Sequence, residues 1–222
     1  MDDAKRRPVG AVTARVVAVI VLVLGGAANA VAQQRSTAPS LNPPWPRLVV
    51  DLRGATASVP KDSAFYPPLP VDALVPARGF GLDAGAHVYV GHLKRVRLGY
   101  GANVFVVRAT QGGLTTVNAT LVAPQVSMNF GTSRGWSYIS GGFGAAAVRG
   151  TLDDGSSGAV ARASGMLGAI NVGGGARWFV SPHLAFTFDV RLHRLGHGTG
   201  DDGVQTSTAM LSSASAGLSL KM

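Results

Sequence analysis

The 222-residue sequence contains no cysteine and no glutamate; all 11 acidic residues are aspartate. The first absence excludes a disulfide scaffold, every thiolate metal site and a cysteine nucleophile. The second removes the glutamate bases of many hydrolases and one of the favoured helix formers. Charge is also scarce, at 14% of residues, while there are 30 glycines and 12 prolines. That composition argues against coiled coils and long helical bundles. An apolar content of 46% argues equally against wholesale disorder. No lysine follows a glycine, so a phosphate-binding P-loop is absent. What remains is a glycine-rich, apolar chain of a length that suits one domain plus a tail.

Residues 1–32 form a separate block. Lys5, Arg6, Arg7 and Arg15 lead into Val16–Leu24, nine apolar residues without interruption. Ala28-Asn29-Ala30 and Ala30-Val31-Ala32 both offer a small-x-small cleavage pattern. The run is well short of the ~20 residues of a membrane-spanning helix, so a secretory signal peptide is expected over 1–32. Residues 33–46 read as a Pro-rich, extended periplasmic linker. The net charge of +9 raises nucleic acid as a partner. The basic residues are scattered, however, with only Lys94–Arg97 clustered, and an exported chain is not expected to bind nucleic acid.

From residue 47 the dominant period is two. Leu184, Phe186, Phe188, Val190 and Leu192 alternate with Ala185, Thr187, Asp189, Arg191 and His193. Arg95–Val107 and Gly81–Gly91 alternate in the same way, so each is a strand between an apolar and a polar environment. Weaker runs at 47–58, 118–130, 135–149, 164–180 and 207–221 bring the count to eight strands. Pro124 demands a distortion within its strand. The connections run long, short, long, short, long, short, long: 59–78, 92–94, 109–117, 131–134, 150–163, 181–183 and 196–206. Strands longer than the ~9–11 residues needed to cross a bilayer, with loop lengths sorted by end, describe a membrane barrel. The expected fold is all-β: a closed eight-stranded antiparallel up-and-down transmembrane β-barrel over 47–222, preceded by the signal peptide. Closure leaves no backbone group unpaired in hydrocarbon.

The stretch Gly173-Gly174-Gly175-Ala176-Arg177-Trp178-Phe179-Val180-Ser181-Pro182-His183-Leu184-Ala185-Phe186-Thr187-Phe188-Asp189-Val190-Arg191 carries a resemblance. It resembles the penultimate hairpin of the small outer-membrane β-barrel domain family of Gram-negative bacteria (OmpA/OmpW-like). The likeness is specific over 164–222 and architectural over 47–163. It implies a bacterial outer-membrane location, contact with outer-membrane lipid and delivery by the barrel-assembly machinery. The family usually ends in an aromatic residue, whereas this chain ends in Met222. Its members include adhesins, channels, lipid-modifying enzymes and inert barrels.

The inward set comprises Asp51, Arg53, Asp83, His87, Tyr89, Arg95, Arg97, Asn103, Asp189, Arg191 and His193. An eight-stranded barrel is just wide enough for side chains to fill it. These residues are therefore expected to form an ion-paired lumen plug, with Asp83 and Asp189 needing arginine neighbours. Trp45, Trp136 and Trp178 lie near the amino end or short turns and are expected to form a periplasmic aromatic girdle. His193, His197, Asp201 and Asp202 read as strand and loop residues; no calcium-ligand spacing is present. No metal, cofactor or catalytic residue is expected, because nothing in the sequence brings a His, a Ser and an acid together. The expected role is structural or surface-interaction, by a monomer with long external loops. Loop 59–78, with Phe65-Tyr66-Pro67-Pro68, is the candidate contact surface for an external ligand or partner. Two alternatives stand beside it: a narrow porin-like or laterally opening transporter of small solutes, and a soluble exported lipocalin-like barrel.

Overall fold

The computed structural model describes residues 45–69, 74–93, 96–153, 155 and 158–222. The proposed signal peptide and all of the linker except Trp45 and Pro46 lie outside the described residues. Eight long strands form one closed antiparallel ring: β1 (Leu48–Ser58), β2 (Arg78–Leu93), β3 (Val96–Gln111), β4 (Thr115–Thr132), β5 (Gly135–Leu152), β6 (Val160–Phe179), β7 (Leu184–Leu195) and β10 (Ala209–Lys221). Two-residue strands β8 (Gly198–Thr199) and β9 (Gln205–Thr206) pair with each other in the last loop. Each long strand pairs with its sequence neighbour, and β1 pairs with β10 to close the ring. Met222 N–H donates to Leu48 O at 2.9 Å, which carries the seam to the last residue.

The period-two faces point as their chemistry requires. On β7 the odd positions Ala185–His193 are buried, whereas Phe186 is 57% exposed on the outer wall. Leu82 and Val90 on β2 and Val106 on β3 share that outer wall, and Phe80 is 79% exposed there. Water would make such a belt costly, at roughly 25 cal/mol per Å² of apolar surface, whereas lipid would not. A soluble lipocalin-like barrel needs these faces turned inward, and the structure therefore contradicts that alternative.

Several strands run further than the sequence pattern suggests. The expected long loop 109–117 is a three-residue turn, Gly112–Leu114, since β3 continues to Gln111 and β4 begins at Thr115. Thr115 and Thr116 are β-branched and fit the pleat. Gly112 and Gly113 take φ of +62° and +73°, the left-handed region a tight hairpin needs. Loop 150–163 contracts in the same way to 153–159. At Pro124 the strand is continuous and pairs with Ala102, but the ladder to β5 lacks pairs at Ala123 and Pro124. The missing donor of proline is thus absorbed as a local gap.

A second irregularity changes which residues face inward. The β5–β6 register shifts between Ala147 and Arg149, and Gly165 opposite has φ +67°. This bulge reverses the parity of β6, so Ser164 is buried on one side of it and Leu167, Ala169 and Asn171 on the other.

Candidate functional site: a filled interior in three layers

At the end that carries Trp45 and Met222, Val49, Tyr89, Trp136 and Tyr138 form a buried cluster, with Trp45 and Phe179 packed against it. Trp45 lies 4.5 Å from Trp136 and 6.0 Å from Tyr89, centroid to centroid, and the Arg97 guanidinium stands 4.9 Å over Trp45. The girdle expectation is corrected here. Trp136 is only 3% exposed because it shares the inward parity of Tyr138, and Trp45 folds onto it. Only Trp178 faces outward, stacked on Phe188 at 5.4 Å.

The middle layer is polar. Asp51, Arg53, Asp83, His87, Asn103, Asp189, Arg191 and His193 are all buried there, and Tyr89 borders them from below. Arg95 lies outside the described residues, and Arg97 is half-buried at the rim. Three arginines face three aspartates. Arg177 makes a two-bond contact with Asp51. Arg53 Nε donates to Asp83 at 3.1 Å and Nη1 to Tyr138 Oη at 3.0 Å. Arg191 donates to both oxygens of Asp189, two residues away on the same strand, at 3.1 and 2.9 Å. Tyr138 Oη passes the chain on to Asp189 at 2.8 Å. Asn103, Ser215 and Ser219 donate to the remaining carboxylate lone pairs of Asp83 and Asp51. Charge balance and a hydrogen bond to every carboxylate oxygen are what a buried ionic cluster requires, whereas neither ring nitrogen of His87 has a hydrogen-bond partner among the described residues.

The opposite end is apolar. Phe105, Val107, Val117, Leu121, Leu167, Leu195 and Leu211 form a second core, into which Phe65 and Tyr66 fold from the first loop. Tyr66 Oη donates to Pro60 O at 2.7 Å, and Gly150 leaves room for the Phe65 carbonyl to lie against β5. The aromatic pair of loop 59–78 is therefore a stopper, buried within the protein, and not an exposed contact surface. Among the described residues of this loop, Lys61, Ser63, Pro68, Leu74, Ala77 and Arg78 are exposed.

Arg177, Tyr138, Asn171 and Gln125 complete the network without belonging to the expected set. Arg177 follows from Trp178 by parity, since an outward tryptophan puts its neighbour inside. Tyr138 shares the parity of Trp136, so an outward Trp136 would carry Tyr138 out with it.

The interior also holds a Ser–His contact, His193 Nε2 to Ser213 Oγ at 3.1 Å, beneath the Phe105 ring. His193 Nδ1 has no hydrogen-bond partner among the described residues, so no carboxylate orients the ring. Gly131-Thr132-Ser133-Arg134-Gly135 spells the Gly-x-Ser-x-Gly pattern. Here it is the turn of the β4–β5 hairpin, not the strand-to-helix elbow that exposes a nucleophile.

No family model matches the chain, and no curated protein matches it. Among solved structures, Neisserial surface protein A (NspA) superposes with a TM-score of 0.51 at 16% identity, over 79% of this chain and 96% of that one. Ail, the attachment invasion locus protein of Yersinia pestis, matches at 12% identity over 80% and 99% of the two chains, with a TM-score of 0.48. The outer-membrane enzyme PagL matches at 16% identity over 79% and 99%, with a TM-score of 0.43. The ring of eight antiparallel strands, the inverted distribution of polarity and the superposition on NspA agree: this chain has the fold of the small eight-stranded outer-membrane barrels.

Proposed function

We propose that the protein is an integral barrel of the bacterial outer membrane, exported by its N-terminal signal, with a structural or surface-interaction role. The observation that carries this reading is the filled interior. Aromatic side chains occupy one end, a neutral network of three arginines and three aspartates the middle, and an apolar core with the Phe65–Tyr66 stopper the other. Such an interior stiffens a wall and fills the lumen with side chains, which favours the anchor over a narrow transporter. The long loops then face outward, and the short turns and both described termini face the periplasm.

In this reading the external contact surface is the rim made by loops 59–77 and 196–208, which Ser207 joins by donating to Asp62. The C-terminal strand β10, with Leu218, Leu220 and Met222 exposed, is the segment offered to the assembly machinery. Membrane fractionation with heat-dependent gel mobility tests the location, and planar-bilayer recording tests the lumen. The expected results are a compact outer-membrane species that unfolds only on heating and produces no conductance. A species found in the soluble fraction, or steady ohmic channels, would contradict the proposal.

A further inference from the structure

The outer wall is not uniformly covered. Across β1 and β10 the outward residues shrink to Gly54, Thr56, Ala214 and Ala216, which pair in two adjacent rows. Phe80 and Leu82 on β2 rise on one side of this floor, and Phe188 and Val190 on β7 on the other. The result is a groove open to the outside. Its walls stand three strand spacings apart, ~14 Å between backbones, which leaves width for an acyl chain between the side chains. Close packing does not impose the bare floor, because a Cβ on Gly54 would meet only Ala216 O, at 4.0 Å.

Toward the loop end the chemistry changes along the same axis. The floor becomes Ser58 and Ser212, whose Oγ and backbone N–H meet at 2.8 Å. Arg78, opposite Ser58, caps the β2 wall, and Arg194, opposite Met210, caps the β7 wall. Arg108 lies directly across from Phe80 on β3. All three arginines are exposed, and none has a carboxylate partner among the described residues. Apolar groove, hydroxyl step and a guanidinium group on either wall follow one another as the tail, neck and phosphate of a lipid do, and guanidinium is the side chain best shaped to grip phosphate oxygens.

We infer that this face is a binding site for one phosphorylated lipid of the outer leaflet, with an acyl chain over Gly54 and Ala216 and its phosphate between Arg78 and Arg194. The inference rests on the outer-membrane reading, which turns this wall toward lipid.

Native mass spectrometry of the full chain in a neutral detergent provides the test, with dioleoyl phosphatidic acid, dioleoylglycerol and inorganic phosphate as probes. One phosphatidic acid should be retained at least tenfold more tightly than either of the others. The exposed double substitution Arg78→Gln/Arg194→Gln should remove that preference, and Gly54→Leu should weaken phosphatidic acid binding at least tenfold by filling the floor. Equal retention of dioleoylglycerol, undiminished binding by Gly54→Leu, or inorganic phosphate binding as tightly as the lipid would each overturn the site; the last would make it a site for free anions. Insertion into neutral phosphatidylcholine vesicles, read by heat-dependent gel mobility, separates the two levels. A protein that inserts without selecting the phosphorylated lipid refutes this inference alone, whereas one that does not insert refutes the outer-membrane reading with it.

Discussion

Arg177 on β6 and Asp51 on β1, 126 residues apart in the chain, meet inside the barrel through two parallel bonds, Nε to Oδ1 at 2.9 Å and Nη2 to Oδ2 at 2.5 Å. Neither strand neighbours the other in the ring, so this pair ties opposite parts of the wall together. Removing one partner leaves the other charged and buried. Arg177→Met should therefore lower the stability of the folded barrel by about 3–5 kcal/mol. Arg177→Lys, which keeps the charge but loses the planar fork, should lose less. Urea unfolding in detergent micelles, followed by heat-dependent gel mobility, measures both.

Gly175 shows how little slack the wall has. A Cβ there would run into the Phe188 carbonyl and come within 2.8 Å of Tyr138 Oη and 3.0 Å of Asp189 Cα. Gly175→Val should cost about 3 kcal/mol or more and prevent the compact species from accumulating. Gly54→Val, on the open outer floor, should be tolerated in the same gel assay.

The three tryptophans should separate cleanly by environment. Trp178 is 56% exposed on the outer wall, whereas Trp136 and Trp45 stack inside. Brominated acyl chains should quench the emission of Trp178 only, so Trp178→Phe should abolish quenching. Persistent quenching in that variant would return Trp136 or Trp45 to the lipid face.

The loop that carries the stopper is held from outside by Asp62, whose carboxylate accepts from Ser207 Oγ and from Ala64 N–H. These two bonds, the Ser207 bond first, hold its pKa below the ordinary carboxylate value. A depressed folded pKa stabilises the docked loop above the unfolded value and loses that contribution as pH falls through the folded one. Hydrogen exchange at Ala64 and Phe65 should accelerate as pH drops through the acid range, after correction for intrinsic rates. Asp62→Asn should show faster exchange at neutral pH and a flatter dependence.

The strands most legible in the sequence are those that separate polar from apolar without exception. From Ala185 to His193 on β7 and from Leu82 to Val90 on β2, the inward residues are polar or small and the outward ones apolar, and the pattern stops toward the loops, where Arg78 and Arg194 face out and Leu195 faces in. The rule fails where both faces are alike. Gly141-Gly142, Gly144–Ala147 and Gly173–Gly175 carry too little side chain to declare a face, which leaves Asn171 unmarked and Tyr138 and Arg177 to be placed only by parity with Trp136 and Trp178. The bulge at Gly165 then reverses parity within β6, which no fixed period can follow. Phe105, Val107 and Leu121 were illegible for another reason. The interior of the barrel turns from polar to apolar toward the loops, so an inward apolar residue there has the same sequence signature as an outward one. The burial of Phe65 and Tyr66 depends on that dry end and could not be read from the loop alone.

The central claim is that apolar residues on alternating positions look out at lipid while their polar neighbours are enclosed. The absence of cysteine permits a direct measurement: single cysteines at each position from Ala185 to Leu192, each carrying a nitroxide, in the barrel reconstituted into vesicles. The account predicts high collision rates with membrane-dissolved oxygen at 186, 188, 190 and 192, and low rates for both oxygen and a water-soluble nickel chelate at 185, 187, 189 and 191. Uniform accessibility along the strand, or chelate contact at the even positions, would contradict it.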